Sequence, residues 1–275
     1  MTEIAAIART GEPITQEKMA ADLRAIGVRP GMTLLVHTAM SRIGWVCGGA
    51  RTCIETLIAA TGATQHGGGT LIMPAQSSDL SDPAAWAHPA VPEHWWDSIR
   101  ANTPPYDPAL TPTRGLGIIA EQFRTWPGVQ RSSHPQVSFT GLGHNAAAIL
   151  ATQPLEDPFG AESPLDVLQQ LDAHVLMIGT GWDTCTALHL AERQANPNGP
   201  RYDDGAPMTV EGQRRWVRFS MPETDAENFP ALGAKLDGSA IVRHGHVRMA
   251  QSRFFPLRDA VTMATALLRP DSARS

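Results

Sequence analysis

The feature that most constrains the fold is an alternation of short apolar strands with helical patterns. Apolar runs extend from Thr33 to His37 and from Thr70 to Pro74, and the helical pattern between them stops near Gly62. Another apolar run, which ends at Ile178, begins at Val175. This spacing is typical of strand–helix–strand units, whose strands lie parallel. We therefore predict an α/β fold with a largely parallel central sheet flanked by helices.

The length of 275 residues is enough for a full hydrophobic core. We expect one domain over residues 1–275, or two intimately packed lobes. The remaining predicted elements are a helix with Met19, Leu23 and Ile26 that ends near Gly27, a helix from Ile118 to Trp126, a strand from Trp216 to Phe219, a helix from Phe229 to Leu236, and a helix from Ala260 to Leu268.

Between Pro74 and Gly115 the periodicity breaks down. With Pro74 included, this stretch contains eight prolines and three tryptophans among scattered acids. A long irregular segment inside a compact domain is more often a functional lid or wall than a simple connection. We expect this insertion to form part of a substrate cleft.

Composition excludes several classes of protein. The net charge of −5 argues against nucleic acid as the main partner and is compatible with a cationic one. No window approaches a membrane span, and the first residues lack the pattern of a secretion signal. Three cysteines do not suggest a disulfide framework. We expect a cytoplasmic protein.

The most informative stretch runs from Gly179 to Glu192. It follows an apolar strand, and Thr184 is placed to cap a helix on which Cys185, His189 and Glu192 share one face. A histidine just past a strand-to-helix turn lies where α/β proteins place their ligands. Three interpretations stay open: a functional histidine, a histidine that only pairs with Glu192, and a nucleophile–base pair with Cys185. A helical cysteine one residue past the cap is more often a small core residue than a nucleophile.

Two turns have the chemistry of a cofactor site. His37 ends a strand and is followed by hydroxyl residues and glycines, a pattern suited to an anion, although the signature of a P-loop is missing. An ordinary strand-exit turn explains it as well. The run from Arg131 to Pro135 fits either contact with a polar cofactor chain or a capped turn. The glycines at 141 and 143 weakly mimic a dinucleotide fingerprint and are better explained as a helix start.

Acidic residues offer a second set of candidates. Glu223, Asp225 and Glu227 follow the predicted strand that ends at Phe219. They are typical of a solvated helix start, but they could also bind a cationic substrate or orient His189. Asp79 and Asp82 have the same two interpretations. His244 and His246 lack further ligands at a recognisable spacing, so we expect no metal site.

Taken in order, these motifs resemble the aminoglycoside 3-N-acetyltransferase family. The segments that carry the resemblance are Leu34-Leu35-Val36-His37, Ile43-Gly44-Trp45-Val46 with Gly48-Gly49, the strand from Gly69 to Pro74, the run from Gly115 to Glu121, Arg131-Ser132-Ser133-His134-Pro135 with Ser138, Ser163-Pro164, and the run from Thr186 to Glu192. Each is modest alone, but their order and spacing are specific. The resemblance implies the antibiotic N-acetyltransferase type of α/β fold, with acetyl-CoA as co-substrate and an aminoglycoside as acceptor.

The resemblance also assigns roles to residues. His189 is similar to the family's catalytic histidine, with Glu223 and Asp225 as acids that face the substrate and help to orient the imidazole. The implied coenzyme A side comprises His37, Thr38, Ala39, Ser41, Gly44, Trp45, Val46, Arg131, Ser132, Ser133, His134 and Ser138. From the chemistry of the reaction, we expect either backbone N–H groups or the Thr186 hydroxyl to donate to the developing oxyanion. We expect the acceptor side to comprise Gln76, Asp79, Glu192, Glu223 and Asp225.

Two positions depart from the family pattern. Ala39 stands where a second serine is usual, so one hydroxyl donor is missing or is replaced by a backbone N–H. Cys185 stands where relatives commonly have asparagine.

The implied reaction is transfer of acetyl to the 3-amino group of an aminoglycoside antibiotic. A histidine titrates in the range that lets it take a proton from the amine, and such general-base help is typically worth about 10²–10⁴-fold. The alternatives are the same fold acting on another amine, a Cys185–His189 hydrolase, and a non-catalytic binder of polyamine-like sugars.

Overall fold

A computed structural model describes residues 3–64 and 66–269. Within these residues seven strands form a sheet in the order β3-β4-β2-β1-β5-β9-β8, and β6 and β7 form a separate hairpin. The strands are β1 Thr33–Thr38, β2 Thr70–Pro74, β3 Gln130–Arg131, β4 Phe139–Gly143, β5 His174–Ile178, β6 Arg201–Val210, β7 Gln213–Pro222, β8 Arg243–Val247 and β9 Ala250–Pro256.

The centre of the sheet is parallel. β1 pairs in parallel with β2 on one side and with β5 on the other. On either side of this parallel centre the sheet continues with antiparallel pairs, β4 with β2 and β9 with β5. The α/β fold with flanking helices is thus confirmed, and the predicted strand–helix–strand units form its parallel centre.

Helices account for most of the remaining regular structure. The helices are α1 Glu3–Arg9, α2 Gln16–Ile26, α3 Met40–Ile43, α4 Gly49–Thr61, α5 Trp96–Asn102, α6 Gly117–Arg124, α7 Ala146–Leu150, α8 Pro164–Gln170, α9 Ala187–Ala195, α10 Phe229–Asp237 and α11 Leu257–Leu268. All predicted helices are present with shifted ends. Among the described helices, none has the length and apolar character needed to cross a membrane.

Side-chain alternation along β1 explains why the sheet is covered on both faces. Leu35 belongs to the core shared with α8, α9, α10 and α11, whereas Leu34 and Val36 belong to the core shared with α2, α4 and α6. A strand buried on both faces is apolar throughout, which is why the sequence signal at β1 is continuous rather than alternating. His37 lies on the same face as Leu35, the face that α9 covers.

The irregular insertion packs against the β6–β7 hairpin. It contains 3₁₀ turns at Ser78–Leu80, Pro83–Ala85 and Glu93–Trp95, followed by α5. The backbone N–H of Asp82 donates to Asp204 of β6 at 2.8 Å, and Arg100 donates to the Asp82 carboxylate at 2.6 Å. These contacts hold the insertion against the hairpin.

Candidate active site

A cavity of about 660 Å³ opens at the carboxyl ends of β1 and β5. The residues after β1, the turn after β5, the segment 115–120 at the start of α6, and the start of α9 form its walls. This is the edge of a parallel sheet at which α/β proteins bind ligands. Of the predicted site residues, the cavity brings together His37, Thr38, Ala39, Ser41, Gln76, Thr186 and His189.

The helix that carries His189 begins later than its sequence predicts. Residues Trp182–Thr184 form a 3₁₀ turn, and the Thr184 hydroxyl donates to the Gly181 carbonyl at 2.8 Å instead of capping a helix. α9 starts at Ala187, and its flanking residue Thr186 makes no side-chain capping bond. The prediction that Thr184 caps this helix is therefore wrong.

Cys185 does not share the face of His189. It lies before α9, is 0% exposed and belongs to the core beneath the helix. Burial raises the pKa of its thiol to about 12, so almost no nucleophilic thiolate is present near neutral pH. Cys185 is also missing from the walls of the cavity. These features contradict the proposed Cys185–His189 pair and support a role in the core.

His189 forms a close pair with Glu192. Its Nδ1 lies 2.7 Å from Glu192 Oε2, and the two side chains are only 13% and 17% exposed. An ionised carboxylate can only accept hydrogen bonds, so the pair places a proton on Nδ1 and leaves Nε2 as the nitrogen with a free electron pair. The spacing of three residues that the sequence shows is the spacing that lets this pair form.

Two phenylalanine rings hold the imidazole plane. Phe159 stacks on His189 with ring centroids 4.8 Å apart and an interplanar angle of 18°. Phe229 contacts the ring at 4.9 Å and 54°. Because Phe159 follows α7 and Phe229 begins α10, these contacts join distant parts of the chain. Together with Glu192 they restrict the imidazole to one orientation.

The acids Glu223 and Asp225 lie outside the cavity wall. Both are exposed, and the structure places Glu192, rather than either of them, against the imidazole. The backbone N–H of Asp225 nevertheless donates to Glu192 Oε1 at 3.0 Å. Glu192 is thus held from two sides, by His189 and by the chain at Asp225.

His37 lies on the cavity wall as a neutral side chain. It is 6% exposed, and burial lowers its pKa to about 4. Its Nε2 has no hydrogen-bond partner among the described residues. Thr180, two residues after the neighbouring strand β5, also lines the cavity. Its buried hydroxyl likewise has no hydrogen-bond partner among the described residues. Unpaired buried polar atoms are uncommon in folded proteins and mark a site where a ligand can bind.

Ala39 has no free donor to replace the missing hydroxyl. Its backbone N–H donates to the Ile178 carbonyl at 2.9 Å, which extends the pairing of β1 with β5. At this position the cavity therefore presents a methyl group only. Thr38 and Ser41 are the hydroxyl residues that remain beside it.

A neighbouring groove of about 490 Å³ continues the cavity. Met40, Ser41 and Ile118 line both spaces. The groove also holds Gly44, Trp45 and Val46 and reaches Gly48 and Gly49 at the start of the 13-residue helix α4. Free N–H groups at a helix start favour an anion. The predicted residues at 44–46 thus join those at 37–41 in one continuous surface.

The predicted residues between Arg131 and Ser138 form an internal network instead. Arg131 donates to Ser138 Oγ at 2.9 Å and to the Ala75 carbonyl at 2.6 Å. Ser132 Oγ donates to Gln153 at 2.7 Å. His134 is buried, which lowers its pKa to about 4, and both of its ring nitrogens have backbone partners. Except for the exposed Ser133, these polar groups are used within the fold, and none of the segment lines the two spaces above.

The two acceptor residues predicted in the insertion are separated. Gln76 lines the cavity of His189. Asp79 lines a different space of about 410 Å³ with Trp86 and Arg114. The two spaces share no lining residue, but their walls are joined where the N–H of Arg114 donates to the Gln76 carbonyl at 2.8 Å.

Several wall residues lie within the sequence motifs but were not predicted as site residues. Thr180 and Asp183 come from the turn after β5, and Ile118, which is 56% exposed, lies where the cavity and the groove meet. Their position in a strand-exit turn and at a helix start is the signal that could have identified them. Among the described residues no group of three His, Cys, Asp or Glu side chains is placed to hold a metal ion.

The fold and site define an α/β protein with a histidine–carboxylate pair at the ligand-binding edge of its sheet. A family model described as aminoglycoside 3-N-acetyltransferase matches residues 35–269. The SPbeta prophage-derived aminoglycoside N(3')-acetyltransferase-like protein YokD of Bacillus subtilis is 42% identical over 253 residues, covering 92% of this chain and 91% of that protein. Aminoglycoside N(3)-acetyltransferase VII of Streptomyces paromomycinus is 34% identical, covering 100% and 98%. The chain belongs to the aminoglycoside 3-N-acetyltransferase family.

Solved structures agree with this assignment. The crystal structure of YokD from Bacillus subtilis superposes with a TM-score of 0.93 at 39% identity, covering 99% of both chains. The AAC-IIIb structure, a binary complex with CoASH, superposes with a TM-score of 0.81 at 29% identity, covering 94% of this chain and 97% of that one.

Proposed function

We propose that this protein transfers acetyl from acetyl-CoA to an amino group of an aminoglycoside, the 3-amino group, with His189 as general base. The observation that carries the proposal is the His189–Glu192 pair in the wall of a cavity large enough for a small-molecule ligand. Family membership supports the reaction class, and the CoASH complex of AAC-IIIb supports the donor.

His189 Nε2 is the proposed proton acceptor. Only a neutral amine can attack an acyl carbon, so an ammonium group must lose its proton in the site. Glu192 keeps the other ring proton on Nδ1 and stabilises the imidazolium that forms. Phe159 and Phe229 hold the ring, so little reorganisation is needed when the proton moves.

The joined cavity and groove fit acetyl-CoA. This cofactor supplies a thioester when bound, together with a long chain and phosphate groups. Met40 and Ile118 provide apolar surface for an extended chain. The Gly49 N–H donates to the Val46 carbonyl, so the following N–H groups in the first turn of α4 are the partners available to an anion. Glu3 also lines this groove, where its carboxylate accepts from Trp45 Nε1. The buried polar atoms of His37 and Thr180 and the Thr186 hydroxyl are the donors available near His189.

Acids at the cavity mouth would attract a polycationic acceptor. Asp183 lines the cavity. Glu223 is exposed and lies three residues before Ala226, which is part of the cavity wall. Asp79 lines the neighbouring space. Charge complementarity of this kind raises the encounter rate and is weakened by salt. A contribution of Glu223 and Asp79 to acceptor binding stays a prediction, as does the cytoplasmic location.

The test is thiol release from acetyl-CoA across a panel of aminoglycosides and simpler amines. We expect turnover with aminoglycosides, acetylation at the 3-amino position by NMR of the product, and a loss of at least about 10²-fold in kcat in His189→Ala. Turnover only with other amines would change the acceptor but keep the chemistry. A folded His189→Ala protein with wild-type rates would remove His189 from this role.

A further inference from the structure

The turn after β7 makes three contacts around the catalytic pair. The N–H of Asp225 donates to Glu192 at 3.0 Å, Ala226 lines the cavity, and the Phe229 ring lies 4.9 Å from that of His189. All three come from five consecutive residues. The path of the chain through 225–229 therefore determines how the pair is held.

The carboxylate of Asp225 stabilises this turn. Its Oδ1 accepts the backbone N–H of Glu227 at 3.0 Å, and its Oδ2 accepts from the side-chain amide of Asn228. It is thereby the cap of the 3₁₀ turn Ala226–Asn228, which leads directly into α10. Both carboxylate oxygens are used by the turn, and Asp225 is missing from the cavity wall.

We propose that Asp225 is a positioning residue, which acts through this capped turn on Glu192 and Phe229 and so on His189, rather than an acid that binds the acceptor. The inference rests on the proposed function, in which His189 is the base. Loss of the cap lets the turn move, which withdraws the N–H from Glu192 and loosens the ring contact of Phe229. The effect then falls on kcat, because acceptor binding does not depend on Asp225.

Two substitutions separate the cap from the charge. Asp225→Asn removes the charge but keeps one oxygen that caps the Glu227 N–H as well as that of aspartate, and its amide N–H can donate to the Asn228 carbonyl oxygen once the Asn228 amide turns over. Asp225→Glu keeps the charge, but its longer side chain is a poor cap. Glu223→Gln removes a neighbouring exposed charge, so it shows how much the loss of one negative charge alone changes kcat, KM and their salt dependence. Each variant is checked by circular dichroism, and kcat and KM are measured for one aminoglycoside at two salt concentrations.

We expect Asp225→Asn to stay within about twofold of wild-type kcat, and Asp225→Glu to lose about tenfold in kcat with little change in KM. A second readout is independent of turnover: the low-field proton resonance of the His189 Nδ1–H···Glu192 bond should persist in Asp225→Asn and broaden in Asp225→Glu. If wild type acetylates no aminoglycoside, the proposed function fails, but this resonance still tests the positioning role.

The opposite pattern would overturn the inference. If Asp225→Asn raises KM in the same salt-dependent manner as Glu223→Gln, while Asp225→Glu stays at wild type, the carboxylate acts by its charge. An unchanged resonance and unchanged kcat in both Asp225 variants would show that the turn does not control the pair.

Discussion

Replacing Glu192 with glutamine keeps the size of the side chain but removes its charge. Glu192 accepts from His189 with one oxygen and from the Asp225 N–H with the other. An amide has only one oxygen, so it can satisfy only one of these donors in either orientation. If the amide nitrogen faces His189, the imidazole must carry its proton on Nε2 and cannot accept one there.

The size of the expected fall in kcat can be worked out for the other orientation of the substituted amide. There the amide oxygen faces His189, so the ring proton stays on Nδ1. A hydrogen bond to a charged group contributes about 1.5–3 kcal/mol, and one between neutral groups about 0.5–1.5 kcal/mol, so His189 loses about 1–1.5 kcal/mol. Loss of the bond from the exposed Asp225 N–H adds about 1 kcal/mol. Together these are about 2–2.5 kcal/mol, which corresponds to a fall in kcat of close to 10²-fold.

The assay is steady-state thiol release with saturating acetyl-CoA and a varied aminoglycoside. We expect kcat of Glu192→Gln to fall by about 10²-fold while KM changes by less than about threefold. Glu17→Gln is the matched control, because Glu17 is exposed on α2, across the sheet from α9. A folded Glu192→Gln protein with kcat within about threefold of wild type would refute the argument that this carboxylate orients the base.

Three further predictions concern the packing of the core and the dependence of stability on pH. Cys185→Ser should keep kcat within about threefold and lower the free energy of unfolding by about 1–3 kcal/mol, as measured by denaturant titration, whereas loss of turnover would restore a role for the thiol. Gly233→Ala would place a Cβ 2.0 Å from Trp182, so Tm should fall by several degrees despite the better helix propensity of alanine, and an unchanged Tm contradicts this. Partial burial opposes ionisation of Glu121, but Arg124 outweighs it and holds its pKa at about 2. Stability from that carboxylate is present above pH 4.5 and is lost as pH falls towards 2, so Glu121→Gln should flatten the unfolding free energy over that interval.

Much of the sheet could be predicted because its central strands are buried on both faces. β1, β2 and β5 each contain a continuous apolar run, and a proline ends β2 while a glycine follows β5, a pattern with little ambiguity. β8 is largely exposed and contains charged residues and a glycine, so it has no comparable signal. Thr184 was predicted to cap α9 because it precedes an apolar helical pattern, but it ends a 3₁₀ turn, and α9 begins only at Ala187.

The site could be predicted where its contacts are local. The His189–Glu192 pair is visible as a spacing of three residues, although the sequence alone did not distinguish it from a simple surface pair. The stacking of Phe159 and Phe229 on the imidazole requires contacts between distant segments, and no pattern indicates them. For the same reason the motif at Arg131 suggested cofactor contact, since its partners in the fold are not near it in sequence.

The Arg131 guanidinium has a consequence for how this enzyme family can diversify. It donates to the Ala75 carbonyl and Ser77 hydroxyl where the insertion departs, and to the Thr111 carbonyl where it returns. This one guanidinium therefore joins the two ends of the insertion to each other. Mutations at the centre of the insertion can therefore change its outer surface while its two ends stay fixed to the sheet.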